Sequence, residues 1–380
     1  MFKAVKAVKA VKAVKAIAIT VAIATSAVAT TANADLLDFL GTNEVEANTY
    51  NLRMVTAFPK NSPGHGASSV RFADNVRALS DGRIDIKVFA SGELVPMKEA
   101  FATVSNGKAD MYHGIEMFWP GVDPALNYFA TIPFGMTPTE HLAWVEHGGG
   151  QALWDEAAAQ YNIKPFALGN SATSMGGWYN KEINTTDDIT GMHLRFPGLG
   201  AKVMQKYGAS TTVVSGSKIL PGLLDGSFDG AELAGPWYDN AMGLYKSPAK
   251  HYYAPGWHEL STILSLGFNA EVWNDFSDKD KNLIVTAVKA EQQVQFLENF
   301  YHHSVSLQKM YDEDNITVKH FPQPVLDAFK KTAYELIDEK NADSELAQRT
   351  HNSYFGFMKA GKLYSENGIL PYMNSRDTAN

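Results

Sequence analysis

Tyr50-Asn-Leu-Arg-Met-Val-Thr-Ala-Phe58, the Pro/Gly/Ser stretch from Pro59 to Gly66, a helical pattern through Phe72, Val76 and Leu79, and the alternating run Ile84-Asp-Ile-Lys-Val88 together decide the fold class. Their order is strand, loop, helix, strand. Outward from there the same alternation continues, with a helix from Met97, a short strand at Ala109 to His113, a helix from Thr139 across Trp144 and Leu153, and a strand at Pro165 to Leu168. Alternating strands and helices of this kind predict an α/β architecture. From Ser277, an N-cap residue with Asp280 three positions on, a helix is expected to about Tyr311, with Ile284, Val288, Leu297, Phe300 and Leu307 on its recurrent face. A helix that long can span two lobes. Two further helical runs follow, one carrying Phe329, Ala333 and Leu336, the other from Ser344 to about Lys362.

The opposite end reads as an address. Lys3, Lys6, Lys9, Lys12 and Lys15 precede an apolar run from Ala16 to Ala29 and the small-residue triplet Ala32-Asn33-Ala34. That order predicts a secretory signal peptide over residues 1–34 and a periplasmic protein, since the apolar run is shorter than the roughly 20 residues that span a bilayer. Without those residues 346 remain, enough for two lobes. Removing the five lysines leaves 28 basic residues against 41 acidic ones, a formal charge of −13, which argues against nucleic acid as a partner. Hydrophobic residues make up 45% and charged residues 19%, a composition that builds a packed core. Cysteine is absent, so disulfides, thiol nucleophiles and thiolate metal sites are excluded.

Catalytic motifs fail on inspection. Gly356 to Lys362 approaches a phosphate-binding loop, but Leu363 stands where Ser or Thr is required and the context is helical. His258-Glu259 lacks the second histidine of a zincin helix, and His302-His303 point about 100° apart on a helix. Gly64-His65-Gly66 lacks the third glycine of a dinucleotide site, and no Gly-x-Ser-x-Gly elbow occurs.

The stretch from Gly169 to Glu259 carries more information. Arg195 stands in Gly191-Met-His-Leu-Arg195-Phe-Pro-Gly198 between apolar neighbours, at a strand-to-helix turn. Such an arginine either offers a planar fork to a carboxylate ligand or makes a structural ion pair. Glu232, in Asp229-Gly-Ala-Glu232-Leu-Ala-Gly-Pro236, and Glu259, ending Tyr252-Tyr-Ala-Pro-Gly-Trp-His-Glu259, are acids in apolar, aromatic surroundings. Burying them requires a positive group nearby: a hard cation bound through oxygen, or a separate Lys or Arg for each unless it faces solvent.

Several further segments make the chain recognisable: Trp119-Pro-Gly-Val-Asp-Pro124, Ile132-Pro-Phe-Gly-Met136, Gly148-Gly-Gly150, Met175-Gly-Gly-Trp178, Gly235-Pro-Trp-Tyr-Asp239 and Gly243-Leu-Tyr-Lys246. From about Tyr50 onward the sequence resembles the extracytoplasmic substrate-binding proteins of TRAP transporters, closest to the branch that binds 2-oxo and hydroxy acids. The resemblance implies a two-lobed α/β clamshell of the periplasmic-binding-protein kind, with a long lobe-spanning helix and C-terminal helices. Residues 49–162 with 259–295 are expected in lobe I, 163–258 with 296–322 in lobe II, and 323–380 in a C-terminal helical segment. It further implies Arg195 as carboxylate anchor, and a sodium or calcium ion held by Glu232, Glu259 and a backbone carbonyl near Leu233. Ser174 and Leu233 depart from the glutamine and tryptophan common in that branch; both are expected at the substrate. Trp178 and Trp237 are expected as aromatic walls, although rings of that size are more often buried for their area alone.

The function expected is that of a receptor, not an enzyme, which captures a pyruvate- or lactate-like monocarboxylate and delivers it to TRAP membrane subunits. A metal-free receptor for a dicarboxylate or other organic anion, or a secreted hydrolase using Glu232 and Glu259, are the competing readings. A homodimer is expected from the C-terminal helices, whose Tyr334, Leu336, Tyr354, Phe355 and Phe357 must dock somewhere.

Overall fold

In a computed structural model, residues 48–60, 62–119 and 121–376 are described; the expected signal at 1–34 lies outside the described residues. Eleven strands form two sheets among them: β1 (Tyr50–Thr56), β2 (Ile84–Phe89), β3 (Met111–Gly114), β4 (Ile163–Asn170), β5 (Gly177–Tyr179), β6 (His193–Arg195), β7 (Ser210–Thr212), β8 (Gly230–Ala231), β9 (His251–Ala254), β10 (Ile263–Asn269) and β11 (Val318–His320). The first sheet has the order β2-β1-β3-β10-β4, the second β11-β9-β5-β8-β6-β7. In the first, β1 runs parallel to β2 and β3 while β10 runs antiparallel to β3 and β4. Helix α1 (His65–Leu79) buries Phe72, Ala73 and Val76 against this sheet, as its spacing requires, and leaves Leu79 exposed.

The chain crosses between the sheets three times. Residues 171–176 and 255–262 run side by side, joined by hydrogen bonds from Ser171 N to the Thr262 carbonyl (2.9 Å) and from Ser174 N to the Leu260 carbonyl (3.3 Å). The third crossing is a 35-residue helix, Asp278–Asp312, capped by Ser277, whose hydroxyl accepts from Asp280 N at 3.1 Å. Its first turns pack on the first lobe through Ile284, Ala287 and Val288, and Met310 belongs to the core of the second.

Three sequence expectations are corrected here. β4 pairs along its whole length with β10, so residues 163–170 belong to lobe I and the first crossing begins after Asn170. A strand buried on both faces reads as an apolar run whichever sheet it joins. In the middle of the long helix the expected apolar face is reversed: Leu297 and Phe300 are exposed, whereas Glu291, Gln295, Asn299 and His303 are buried. That polar stripe satisfies backbone at the crossing. Gln295 Oε1 accepts from Asn170 N (2.7 Å), Asn299 Nδ2 donates to the Asn170 carbonyl (2.9 Å), and His303 Nε2 lies 3.1 Å from the Ser171 carbonyl. Third, the apolar C-terminal residues dock within the chain. The helix Gln323–Asn341 places Phe329 and Ala333 in the core of the second lobe, and Glu345–Tyr364 places Tyr354 in that of the first, with Tyr334, Leu336, Phe355 and Phe357 packed beside them. What stays exposed lies further on, at Leu363, Tyr364, Leu370 and Tyr372.

Candidate functional site

Strand pairing assembles the site from segments far apart in sequence. Arg195, the last residue of β6, is in register with Ala231 on β8, and Glu232 N donates to the Arg195 carbonyl at 3.1 Å. Glu259 arrives on the crossing segment 255–262, its N–H bonded to the Gly256 carbonyl at 3.2 Å. Helix α2 (Gly198–Lys206) starts beside it. Gly198 has φ +61°, and a Cβ there would lie 3.6 Å from Glu259 Oε1, so the turn brings bare backbone up to the carboxylate.

Arg195 is buried, and three of its four hydrogen bonds are long. Nη1 donates to the Glu232 carbonyl and lies 3.4 Å from Glu232 Oε2, while Nε and Nη2 each reach the Val214 carbonyl at 3.4 Å. Of the two alternatives read in sequence, the structure shows the ion pair with Glu232. Arg195 and Leu233 border a cavity of about 290 Å³ between the lobes. Phe58, Pro63 and His65 wall it from the first lobe, and Pro197, Val213 and Tyr238 from the second, so its lining is largely apolar around one cation. Burial holds the His65 imidazole down to about 3, leaving it neutral there.

The two glutamates meet behind Arg195. Glu232 Oε1 and Glu259 Oε1 are buried without a hydrogen-bond partner. Burial, then the Glu232 charge, push the Glu259 carboxyl well above its ordinary range against the pull of Arg195. Two buried, unpartnered carboxylate oxygens in one cluster fit a cation, which would offset the desolvation and the repulsion. Among the described residues, Glu232, His258 and Glu259 bring one ligand atom each within 4.8 Å of one another.

Other expected site residues stand elsewhere. Trp178 is fully buried, stacked on Tyr252 at 4.0 Å, with Nε1 donating to Asp239 Oδ2 at 3.0 Å; it is a core residue, not a cavity wall. Trp237 packs against the long helix, its ring 4.2 Å from that of His302, outside the cavity. Ser174 is buried in the first crossing and does not line the cavity either. A tryptophan or serine near a site motif gives no direction for its side chain: Trp178 lies on β5, Trp237 on the helix Pro236–Ala241 and Ser174 in the crossing, and none of them lines the cavity. Sequence reading passed over His258, His65 and Asp239. Asp239 accepts from Trp178 and from Tyr252 Oη (2.7 Å), and burial pushes it up to about 7. His258 was visible only as a failed zincin motif, because its partner Glu232 is remote in sequence.

Residues 54–343 match the model of DctP, bacterial extracellular solute-binding protein, family 7. The chain belongs to this family. A monocarboxylate 2-oxoacid-binding periplasmic protein of Nostoc sp. is 30% identical over 93% of the chain and 96% of its own length. The structure is similar to that of a TRAP periplasmic solute-binding protein from Pseudoalteromonas atlantica with bound sodium and pyruvate (TM-score 0.82, 29% identity, 86% of this chain and 99% of that one). It is likewise similar to a TRAP transporter solute-binding protein from Bordetella bronchiseptica, a mixed-occupancy dimer with calcium and picolinate (TM-score 0.83, 28% identity, 87% and 98%). The two-lobed α/β fold of this family of solute receptors is the fold of this chain.

Proposed function

We propose that this family member is the periplasmic receptor of a TRAP transporter, taking a small 2-oxo or 2-hydroxy monocarboxylate of the pyruvate or lactate type together with a sodium or calcium ion. The observation that carries the reading is the pair of unpartnered, buried carboxylate oxygens of Glu232 and Glu259 beside Arg195 at an interlobe cavity. In this reading Arg195 anchors the substrate carboxylate, the two glutamates and the Leu233 backbone carbonyl hold the cation, and the apolar walls exclude water. The pyruvate and sodium of the Pseudoalteromonas protein and the name of the Nostoc relative support the same ligand class. Residues 1–34 direct export, and the loaded receptor delivers its ligand to the TRAP membrane subunits. The chain acts by binding, not catalysis, and is a homodimer through the apolar surface beyond Lys362.

Mass spectrometry of small molecules released by denaturing the purified protein, with elemental analysis of the same sample, tests this. A 2-oxo or 2-hydroxy monocarboxylate with a stoichiometric cation is expected. A dicarboxylate without metal, or turnover of the acid on incubation, would overturn it.

A further inference from the structure

A second opening adjoins the ligand cavity. It holds about 250 Å³ and shares Met97, Met117, Phe118, Pro197 and Val213 with that cavity, so the two spaces meet along one wall. What sets it apart is its charge. Lys98, on the turn Met97–Glu99 of the first lobe, Lys202, on α2 of the second, and Lys340, near the end of the helix Gln323–Asn341, all border it. The inner cavity offers Arg195 alone.

Surface lysines are ordinarily scattered in solvent or paired with a neighbouring acid. These three come from separate elements to one opening, and among the described residues their ammonium groups make no hydrogen bond or ion pair. Partial burial, then the charge of Lys202, pull the Lys340 ammonium below its ordinary range, so the two feel each other across the opening. Glu116 is the one acid on this lining, and it does not serve as their counter-ion. Its Oε1 accepts from Tyr112 Oη at 2.9 Å, its Oε2 is buried without a partner, and burial pushes the carboxyl up to about 7. The whole chain carries a formal charge of −8, which repels an anionic ligand, and this mouth is a local exception. An ammonium is a compact, hydrated point charge without the planar fork of arginine, so three of them suit a loosely held, exchangeable carboxylate.

We propose that this opening is a vestibule in which Lys98, Lys202 and Lys340 collect a small carboxylate at the mouth of the cleft and pass it on to Arg195. Concentrating the anion there raises the rate at which the receptor captures it, an effect that salt screens. The inference rests on the reading of the inner site as one for a small monocarboxylate.

Stopped-flow tryptophan fluorescence of the mature protein mixed with pyruvate and calcium, at about 20 mM and about 300 mM salt, tests this against two double variants. Lys202→Gln with Lys340→Gln should lower the association rate constant at least ~5-fold at the lower salt, and leave it within about twofold of wild type at the higher. Lys206→Gln with Lys331→Gln removes the same charge from the same two helices away from the opening, and should leave the rate within about twofold of wild type at both. A second readout needs no pyruvate. With the lysines carrying isotope-labelled dimethyl groups, NMR should show sodium acetate shifting the Lys202 and Lys340 resonances saturably, in wild type and in Arg195→Ala alike. An equal slowing in both double variants, no slowing in either, or acetate shifts that do not saturate would overturn the vestibule and leave the inner site standing. Wild type that fails to bind pyruvate would remove the monocarboxylate reading instead, and the acetate titration then decides the vestibule alone.

Discussion

Arg195 holds two loads, the Glu232 carboxylate at 3.4 Å and, under the proposed function, the carboxylate of the ligand. Arg195→Ala should weaken pyruvate binding more than ~100-fold, since two charge-assisted hydrogen bonds of about 1.5–3 kcal/mol each are lost in a site closed to water. Calorimetry with thermally checked protein measures this, and affinity within threefold of wild type would make Arg195 structural. Glu116, in the first lobe, provides a test free of ligand. Burial pushes its carboxyl up to about 7 although Tyr112 Oη donates to it at 2.9 Å. The folded state therefore keeps a proton that the unfolded chain releases above about 4.5, so this group's contribution to stability falls as pH rises from there to about 7 and is flat beyond. Glu116→Gln should stabilise the protein at pH 8 relative to pH 5 by roughly 2–3 kcal/mol compared with wild type. Urea unfolding at the two pH values reads that difference, and an unchanged one would refute the assignment. Arg195, Glu232 and Glu259 could be singled out in sequence because a lone charge among apolar residues demands a partner. His258 could not, because what gives it meaning is its approach to Glu232, remote in sequence and brought near by strand pairing.

Helices and strands followed the sequence where one period and one environment govern a segment. The alternation in β2, the spacing of α1 and the Ser277 cap of the long helix were all legible. The middle of that helix was not: its inner face meets buried backbone where β4 gives way to the first crossing and is polar, while Val294, Leu297, Phe300 and Tyr301 face outward. Hydrophobic periodicity assumes an apolar neighbour, and a hinge made of irregular backbone is not one. The helix Glu345–Tyr364 shows the ordinary case. Tyr354 is buried among Tyr128, His141 and Trp144, at centroid distances of 5.4, 5.6 and 5.1 Å, and its hydroxyl accepts from Met136 N at 2.8 Å. Tyr354→Ala should cost about 3–5 kcal/mol and loosen this helix from the first lobe. Chemical denaturation combined with hydrogen exchange of residues 345–364 would reveal it, and a cost under about 1 kcal/mol would mean the helix gains little from docking there.

Across the whole molecule, two lobes share three crossings between the sheets and a fourth along the helix Gln323–Asn341, and the proposed ligands come from the second lobe and one crossing while the first lobe supplies the facing wall. The exposed apolar residues Leu363, Tyr364, Leu370 and Tyr372 lie around and beyond the last docked turn, where Ser365 Oγ donates to Glu140 Oε1 at 3.5 Å, and a second copy can cover them. Light scattering should give a dimer for the mature chain and a monomer for one ending at Lys362; a single-chain mass for the former would exclude the dimer and leave the receptor intact. The central claim is that cation and carboxylate bind as one unit, each improving the site for the other. Its most direct measurement is a calorimetric titration of chelator-treated protein with pyruvate, in the presence and absence of calcium. Affinity at least ~10-fold higher with calcium, matched by an equal gain in calcium affinity when pyruvate is present, is the result predicted. Identical pyruvate affinity in both buffers, or no binding in either, would contradict it.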